Sequence, residues 1–208
     1  MPYRRVTLPH VDAPTVPQFV TVRLVDSLPN QVIAELAQAV VSGSESTQRA
    51  RGAQHRIEEL CDAGLGSCWL GRPDVASIVQ RGLEEQLPPG IDLHEWVVMP
   101  NHLHFLVTFG ESHRIVDVLR EFKSRTARDA NRAIGRTGPF WMAGFFDRYI
   151  RDQRHFDVVR DYIRMNPVKA GLCASPDDWR WRSGGNSGQA SRRTFRVQHE
   201  EALRPEAG

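Results

Sequence analysis

Hydrophobic spacing along this chain switches between a period of two and a period near 3.6, and each switch marks an element. Residues 18–25, Gln-Phe-Val-Thr-Val-Arg-Leu-Val, alternate enough to predict a strand. Asn30 can cap a helix beginning near Gln31, with Val32, Ile33, Leu36, Ala37 and Val40 as its stripe. A second helix near 45–63 carries Ile57, Leu60 and Cys61 and stops at Gly64. Pro73 suits a first helical turn and opens a third helix to about Gln86, with Val75, Ile78, Val79 and Leu83 on its buried side; Pro88-Pro89-Gly90 ends it.

Residues 91–99 and 102–109 then read as two strands joined at Pro100-Asn101, which predicts an antiparallel hairpin. On the second strand His102, His104, Leu106 and Thr108 face one way and Leu103, Phe105, Val107 and Phe109 the other. That alternation assigns the apolar face to the core and the histidine face to an open surface. A long helix follows over 115–134, with Ile115, Leu119, Phe122, Ala130 and Ala133 on one side and Arg114, Arg125, Arg128 and Arg132 on the other. After a loop from Gly135 to Gly144, residues 145–150 read as a short strand and 153–165 as a helix. Its stripe is Phe156, Val159 and Ile163, with His155, Tyr162 and Asn166 beside it, and Pro167 and Gly171 are expected to close it. Strands separated by helices around a central hairpin predict an α+β sandwich with helices on one sheet face.

Composition bounds this picture. The chain has 208 residues and 40% hydrophobic content, enough for one sizeable core. One domain is expected over 18–183, preceded by an irregular, proline-rich arm at 1–17 and followed by a disordered basic tail at 184–208, where Gly and Ser dominate the first residues. No internal repeat is present. No apolar run approaches the roughly 18 residues of a membrane helix, and the first residues lack an apolar signal core, so a cytoplasmic protein with no membrane partner is expected. Cys61, Cys68 and Cys173 show no paired spacing, which fits reduced thiols.

The net charge of +2 hides an asymmetry: residues 1–110 hold 8 basic and 12 acidic side chains, and residues 111–208 hold 19 and 13. Arginine supplies 25 of the 27 basic residues, leaving Lys123 and Lys169 as the only lysines. Any single arginine on a helix is most simply a solvated side chain, but the cluster as a whole favours a nucleic-acid partner over a small substrate.

Two runs carry candidate chemistry. Val-Val-Met-Pro-Asn-His-Leu-His-Phe-Leu-Val at 97–107 places His102 and His104 on one strand face, a metal-ligand spacing that also suits a satisfied polar pair. Asp-Tyr-Ile-Arg-Met-Asn-Pro-Val-Lys-Ala-Gly-Leu at 161–172 places Tyr162 and Asn166 four residues apart on one helix face. Tyrosine is a poor nucleophile without help and more often packs than reacts. A metal pair facing a tyrosine is nevertheless the minimal equipment for attack on a phosphodiester.

Together these runs, with Phe146-Asp147-Arg148 and the first strand Phe19-Val20-Thr21-Val22-Arg23-Leu24 before Asp26-Ser27-Leu28-Pro29, resemble the REP-associated tyrosine transposases. These are relatives of the single-tyrosine transposases of small insertion sequences, within the His-hydrophobic-His (HUH) nucleases. The likeness runs to about Trp181. It implies a ferredoxin-like, RRM-like core with a mostly antiparallel, usually five-stranded sheet covered by helices. It also implies Mg²⁺ or Mn²⁺ held by His102, His104 and Asn166, and Tyr162 as the nucleophile that forms a covalent 5′-phosphotyrosine link; should Asn166 not serve as the third ligand, His155 and Glu95 are weaker substitutes. Tyr149 does not occupy the family's nucleophile position and is expected to stack or pack.

The implied partner is single-stranded DNA carrying hairpin-forming repeats, acted on by a monomer or homodimer associated with the nucleoid. Arg114, Lys123, Arg125, Arg128, Arg132, Arg148 and Trp141 are the candidate DNA contacts, with Phe140 and Tyr149 as further stacking candidates. Two alternatives stay open: a DNA-hairpin-binding protein that does not cleave, and a metal-dependent phosphoesterase that uses activated water.

Overall fold

The computed structural model describes residues 13–29, 31–32 and 56–185. The N-terminal arm up to residue 12, the cap at Asn30, the stripe from Ile33 to Val40, residues 45–55 of the second expected helix and the tail from 186 lie outside the described residues. Four strands form one antiparallel sheet: β1 (Pro17–Arg23), β2 (Ile91–Val98), β3 (His102–Phe109) and β4 (Phe146–Tyr149). Their order is β2-β3-β1-β4. Three helices, α1 (Pro73–Glu84), α2 (Ile115–Ala133) and α3 (Gln153–Lys169), pack on it, and residues 56–62 are also helical.

The hairpin pairs as its alternation requires, with Val97 opposite His104 and Val98 opposite Leu103. On the other flank of β3, Thr21 lies opposite His104 and Arg23 opposite His102. Val20, Val22, Leu103, Phe105, Val107 and Phe109 form one sheet face, and α1 and α2 bury it with Val75, Val79, Leu83, Ile115, Leu119 and Phe122. The two helices approach closely at Gly82, where an added Cβ would lie 2.9 Å from both Phe122 and Thr126 side chains.

The opposite face is not open. Phe19, Val97, Met99 and Leu106 pack there against Phe156 and Ile163 of α3, so helices cover both faces of the sheet rather than one. Neighbouring strands supply enough apolar surface around the two histidines to make burial favourable, which alternation along one strand does not reveal. Among the described residues the sheet has four strands, where the resemblance implies five, and residues 181–183 dock on the free edge of β2. Val98 N–H donates to Trp181 O (2.9 Å), Ser183 N–H donates to Trp96 O (3.0 Å), and Val97 and Arg182 form a single bridge.

α3 runs one turn further than its sequence suggests. Pro167 sits inside it, and the helix ends at Lys169. Proline there removes only the bond to the carbonyl of Ile163, near the helix end, where the loss is tolerable. Gly171, at φ 70°, then closes the helix, with Leu172 N–H on Pro167 O (2.9 Å) and Gly171 N–H on Val168 O (3.0 Å).

Candidate active site

β3 delivers the two histidines to the face that α3 covers. His102 and His104 are each 1% exposed, with ring centroids 4.6 Å apart and planes inclined by 73°. Both Nδ1 atoms are engaged, His104 with Thr21 Oγ1 at 2.9 Å and His102 with Asn101 Oδ1 at 2.8 Å. The Asn101 amide nitrogen donates to Leu65 O at 2.9 Å, which turns its oxygen toward His102. His102 must therefore carry its proton on Nδ1, leaving a lone pair on Nε2, and that buried Nε2 has no hydrogen-bond partner. Burial, reinforced by the charge of Arg23, lowers the His102 pKa to about 3. His104 is held well below its ordinary value by burial, then by His102 and Arg23. Both imidazoles are neutral at pH 7, the form that binds metal.

α3 places Tyr162, Asn166 and Lys169 over this pair. The Tyr162 ring lies 5.5 Å from His104 and 5.9 Å from Phe19, with Lys169 Nζ 4.8 Å above its centroid. Its buried hydroxyl makes no hydrogen bond. Burial raises its pKa far above 10, and the nearby Glu58 and Asp62 carboxylates push it in the same direction. Asn166 is fully buried, and neither its oxygen nor its nitrogen has a partner. Leaving both unsatisfied costs on the order of 1–3 kcal/mol each, which suggests an arrangement completed by something else.

Sequence reasoning missed the contribution of the helical residues 56–62. Asp62 Oδ1, buried and without a hydrogen bond, lies 3.8 Å from His102 Nε2. Burial and Glu58 raise the Asp62 pKa to about 6, against a smaller lowering by Lys169. The available signal was that Glu58 and Asp62, four residues apart, share one face of an otherwise apolar-striped helix. Among the described residues no three His, Cys, Asp or Glu side chains converge on one point, so a third donor to any cation at the histidines would have to be of another type or to shift. The amide oxygen of Asn166, buried and without a partner, is of another type. His155 instead sits in the first turn of α3, where Arg151 N–H donates to its Nδ1 at 3.3 Å. Glu95 lies on the same sheet face but is held among Arg160, Arg164 and Arg182, with Ser183 as a hydrogen-bond partner.

The expected DNA contacts separate. Arg148 stands exposed on the edge strand β4, opposite Phe19 and on the side of Tyr162. Arg114, Arg125, Arg128 and Arg132 belong to α2 or its cap, across the sheet from Tyr162. Of these, Arg125 is tied to Gln86 O (2.8 Å) and Glu121 (3.3 Å), and Arg132 pairs with Asp129 (3.4 Å).

Lys123 and Trp141 are not available as surface contacts. The Lys123 ammonium donates to the carbonyls of Met142 (2.7 Å) and Gly144 (2.6 Å), and burial lowers its pKa to about 8. Trp141 is 6% exposed, packs against Phe122 and Phe140, and donates Nε1–H to Thr126 Oγ1 at 2.9 Å. Phe140 is likewise buried, whereas Tyr149 is 46% exposed. The reason is local pairing: residues 140–142 bond back to 23–25 through Val25 N–H to Phe140 O and Met142 N–H to Arg23 O, which draws the loop into the core.

Residues 75–166, which include the buried His-x-His pair, Tyr162 and Asn166, match the family described as Transposase IS200 like. The resemblance to REP-associated tyrosine transposases holds. The chain is 30% identical over 91 residues to the REP-associated tyrosine transposase of Escherichia coli (strain K12), covering 42% of this chain and 51% of that protein. It is 28% identical over 96 residues to a putative REP-associated tyrosine transposase of Haemophilus influenzae, covering 41% and 54%. The chain thus spans about half the length of the curated relatives it matches. A solved REP-associated tyrosine transposase bound to a REP hairpin shares the fold, with a TM-score of 0.50 and 20% identity, over 85% of this chain and 81% of that one.

Proposed function

We propose that this chain is a transposase-like single-stranded DNA endonuclease and strand transferase that acts at hairpin-forming repeats, with Tyr162 as nucleophile and Mg²⁺ or Mn²⁺ as cofactor. The observation that carries this reading is the set of unsatisfied buried atoms on facing elements: Nε2 of His102, both amide atoms of Asn166 and the hydroxyl of Tyr162. Neutral imidazoles and an amide oxygen fit a divalent cation, and His102, His104 and Asn166 would hold it. A cation bound there supplies positive charge that offsets the charge developing on the scissile phosphate.

The Tyr162 oxygen forms a bond to phosphorus, and the bond from phosphorus to the 3′ oxygen breaks. The tyrosine gives up its proton and the departing oxygen gains one, leaving a 5′-phosphotyrosine and a free 3′-hydroxyl. Attack by another strand's hydroxyl reverses the step, so cleavage and joining need no ATP. Thr21 and Asn101 fix the two ring orientations, and Phe19 with His104 fixes the tyrosine ring. Arg148 lies where a strand entering from the β4 edge would meet it. The hairpin partner is carried over from the REP hairpin in the related solved complex. No helix among the described residues is long and apolar enough to cross a membrane.

One observation favours the non-cleaving alternative: the Tyr162 pKa is raised, which makes it a weak nucleophile unless a cation offsets its carboxylate neighbours. Both readings meet in one experiment. The purified protein is mixed with Mg²⁺ or Mn²⁺ and labelled single-stranded hairpins from DNA flanking its own gene, then run on a denaturing gel. A label shifted with the protein, absent with EDTA and in Tyr162→Phe, is the expected result. Cleavage surviving Tyr162→Phe would replace it with a water-activating phosphoesterase, and tight binding with no adduct on any flanking hairpin would leave a binding protein.

A further inference from the structure

The donor set of two neutral imidazoles and one neutral amide lacks something that a hard divalent cation favours, an anionic oxygen. The need is sharpened by Arg23, which lies opposite His102 in the sheet register, is 8% exposed, and keeps two guanidinium nitrogens, Nε and Nη2, without hydrogen bonds. A dication beside a buried guanidinium is opposed unless a carboxylate joins it.

Asp62 is placed to answer this. Its Oδ1 and the Nε2 of His102 are both buried, both without hydrogen bonds, and 3.8 Å apart. That gap is too long for a hydrogen bond between them and shorter than twice the roughly 2.1 Å of a metal–ligand bond, so one ion between the two atoms can touch both. Resting on the cation-dependent reading above, we infer that the Asp62 carboxylate is the anionic oxygen donor of the cation site, paired with Nε2 of His102. Helical residues 56–62 are then part of the cation site, joined to it through a residue 40 positions before His102.

Manganese binding tests this without reference to catalysis. Full-length protein is stripped with EDTA, dialysed and titrated with Mn²⁺, free ion being read by electron paramagnetic resonance. Wild type, Asp62→Asn, Asp62→Ala and His102→Ala are compared, and thermal melts without metal confirm that each variant is folded. Wild type should bind one ion, and both Asp62 variants should bind it about tenfold or more weakly and lose most of the Mn²⁺-induced rise in melting temperature. If His102→Ala loses binding while both Asp62 variants keep wild-type affinity, the cation site stands and the assignment of Asp62 falls. Should Asp62→Asn bind Mn²⁺ normally yet fail to form the DNA adduct, Asp62 acts on the tyrosine proton instead and the assignment falls as well. Absence of Mn²⁺ binding to wild type would overturn the assignment together with the cation-dependent reading.

Discussion

Replacing Asp62 by Asn should steepen the acid instability of the metal-free protein by a predictable amount. In the folded chain His102 stays neutral until about pH 3 and His104 until well below its ordinary value, whereas both bind protons near 6.5 when unfolded. The unfolded state therefore binds more protons, and the stability these groups contribute above pH 6.5 is lost as pH falls. Asp62 acts in the opposite sense. Its pKa rises from 3.8 to about 6 on folding, so the folded state takes up a proton that the unfolded chain does not, and it gains stability as pH falls through 6. At pH 5 Asp62 favours the folded state by about 0.85 of a proton, which offsets about 1.2 kcal/mol per pH unit of the opposite slope set by the histidines. Asp62→Asn removes this opposing part and steepens the slope by about 1.2 kcal/mol per pH unit. Because Asp62 and His102 are adjacent, the counted proton belongs to the pair, and its location does not alter the slope. Urea unfolding in EDTA at pH 5.5, 5.0 and 4.5 measures both slopes, and groups common to the two proteins cancel in the difference. Equal slopes would refute the reasoning, since Asp62 would then titrate like an ordinary surface carboxylate.

Lys123→Ala should cost about 2–4 kcal/mol in urea unfolding, by leaving the carbonyls of Met142 and Gly144 without their donor, while single-strand DNA affinity of the folded variant stays near wild type. Gly82→Ala should lower stability by roughly 1–3 kcal/mol, because the new methyl meets Phe122 and Thr126 at 2.9 Å; a melting temperature equal to wild type would show that α1 and α2 can separate freely. For DNA binding, Arg148→Ala should reduce the slope of log affinity against log salt by about 1, whereas Arg128→Ala on the far side of the sheet should leave it unchanged, and the reverse result would move the DNA to α2.

The fold was readable where a period was unbroken. Alternation from 102 to 109 fixed both the hairpin and its two faces, and the stripe Ile115, Leu119 and Phe122 marked the core side of α2. What failed were judgements made on one element at a time. The histidine face looked polar along β3 alone, yet Phe19 and Val97 from flanking strands and Ile163 from α3 enclose it. Trp141 lay in a segment without periodicity, and only its pairing with Leu24 reveals why it is buried. Lys123, read as part of a basic helix, turns instead to two loop carbonyls 19 and 21 residues away.

The candidate site divides in the same way. His102, His104, Tyr162 and Asn166 are legible because each pair is fixed by local spacing, two residues on a strand and four on a helix, and the fold need only bring one strand and one helix together. Asp62 and Arg23 are much less so: the i, i+4 spacing of Glu58 and Asp62 marks a polar helix face without saying what it meets, and the relevance of both residues arises from tertiary placement. The physics of the site shows in what the fold leaves unsatisfied. A protein selected only for stability would replace Asn166 and Tyr162 with apolar residues of similar volume, since their buried polar atoms find no partner and each costs on the order of 1–3 kcal/mol. Thr21 and Asn101 meanwhile spend good hydrogen bonds on holding the two imidazoles in fixed orientations. Strict ordering of the two imidazole rings beside uncompensated donors and acceptors is the pattern expected if a cation and a phosphate complete the set.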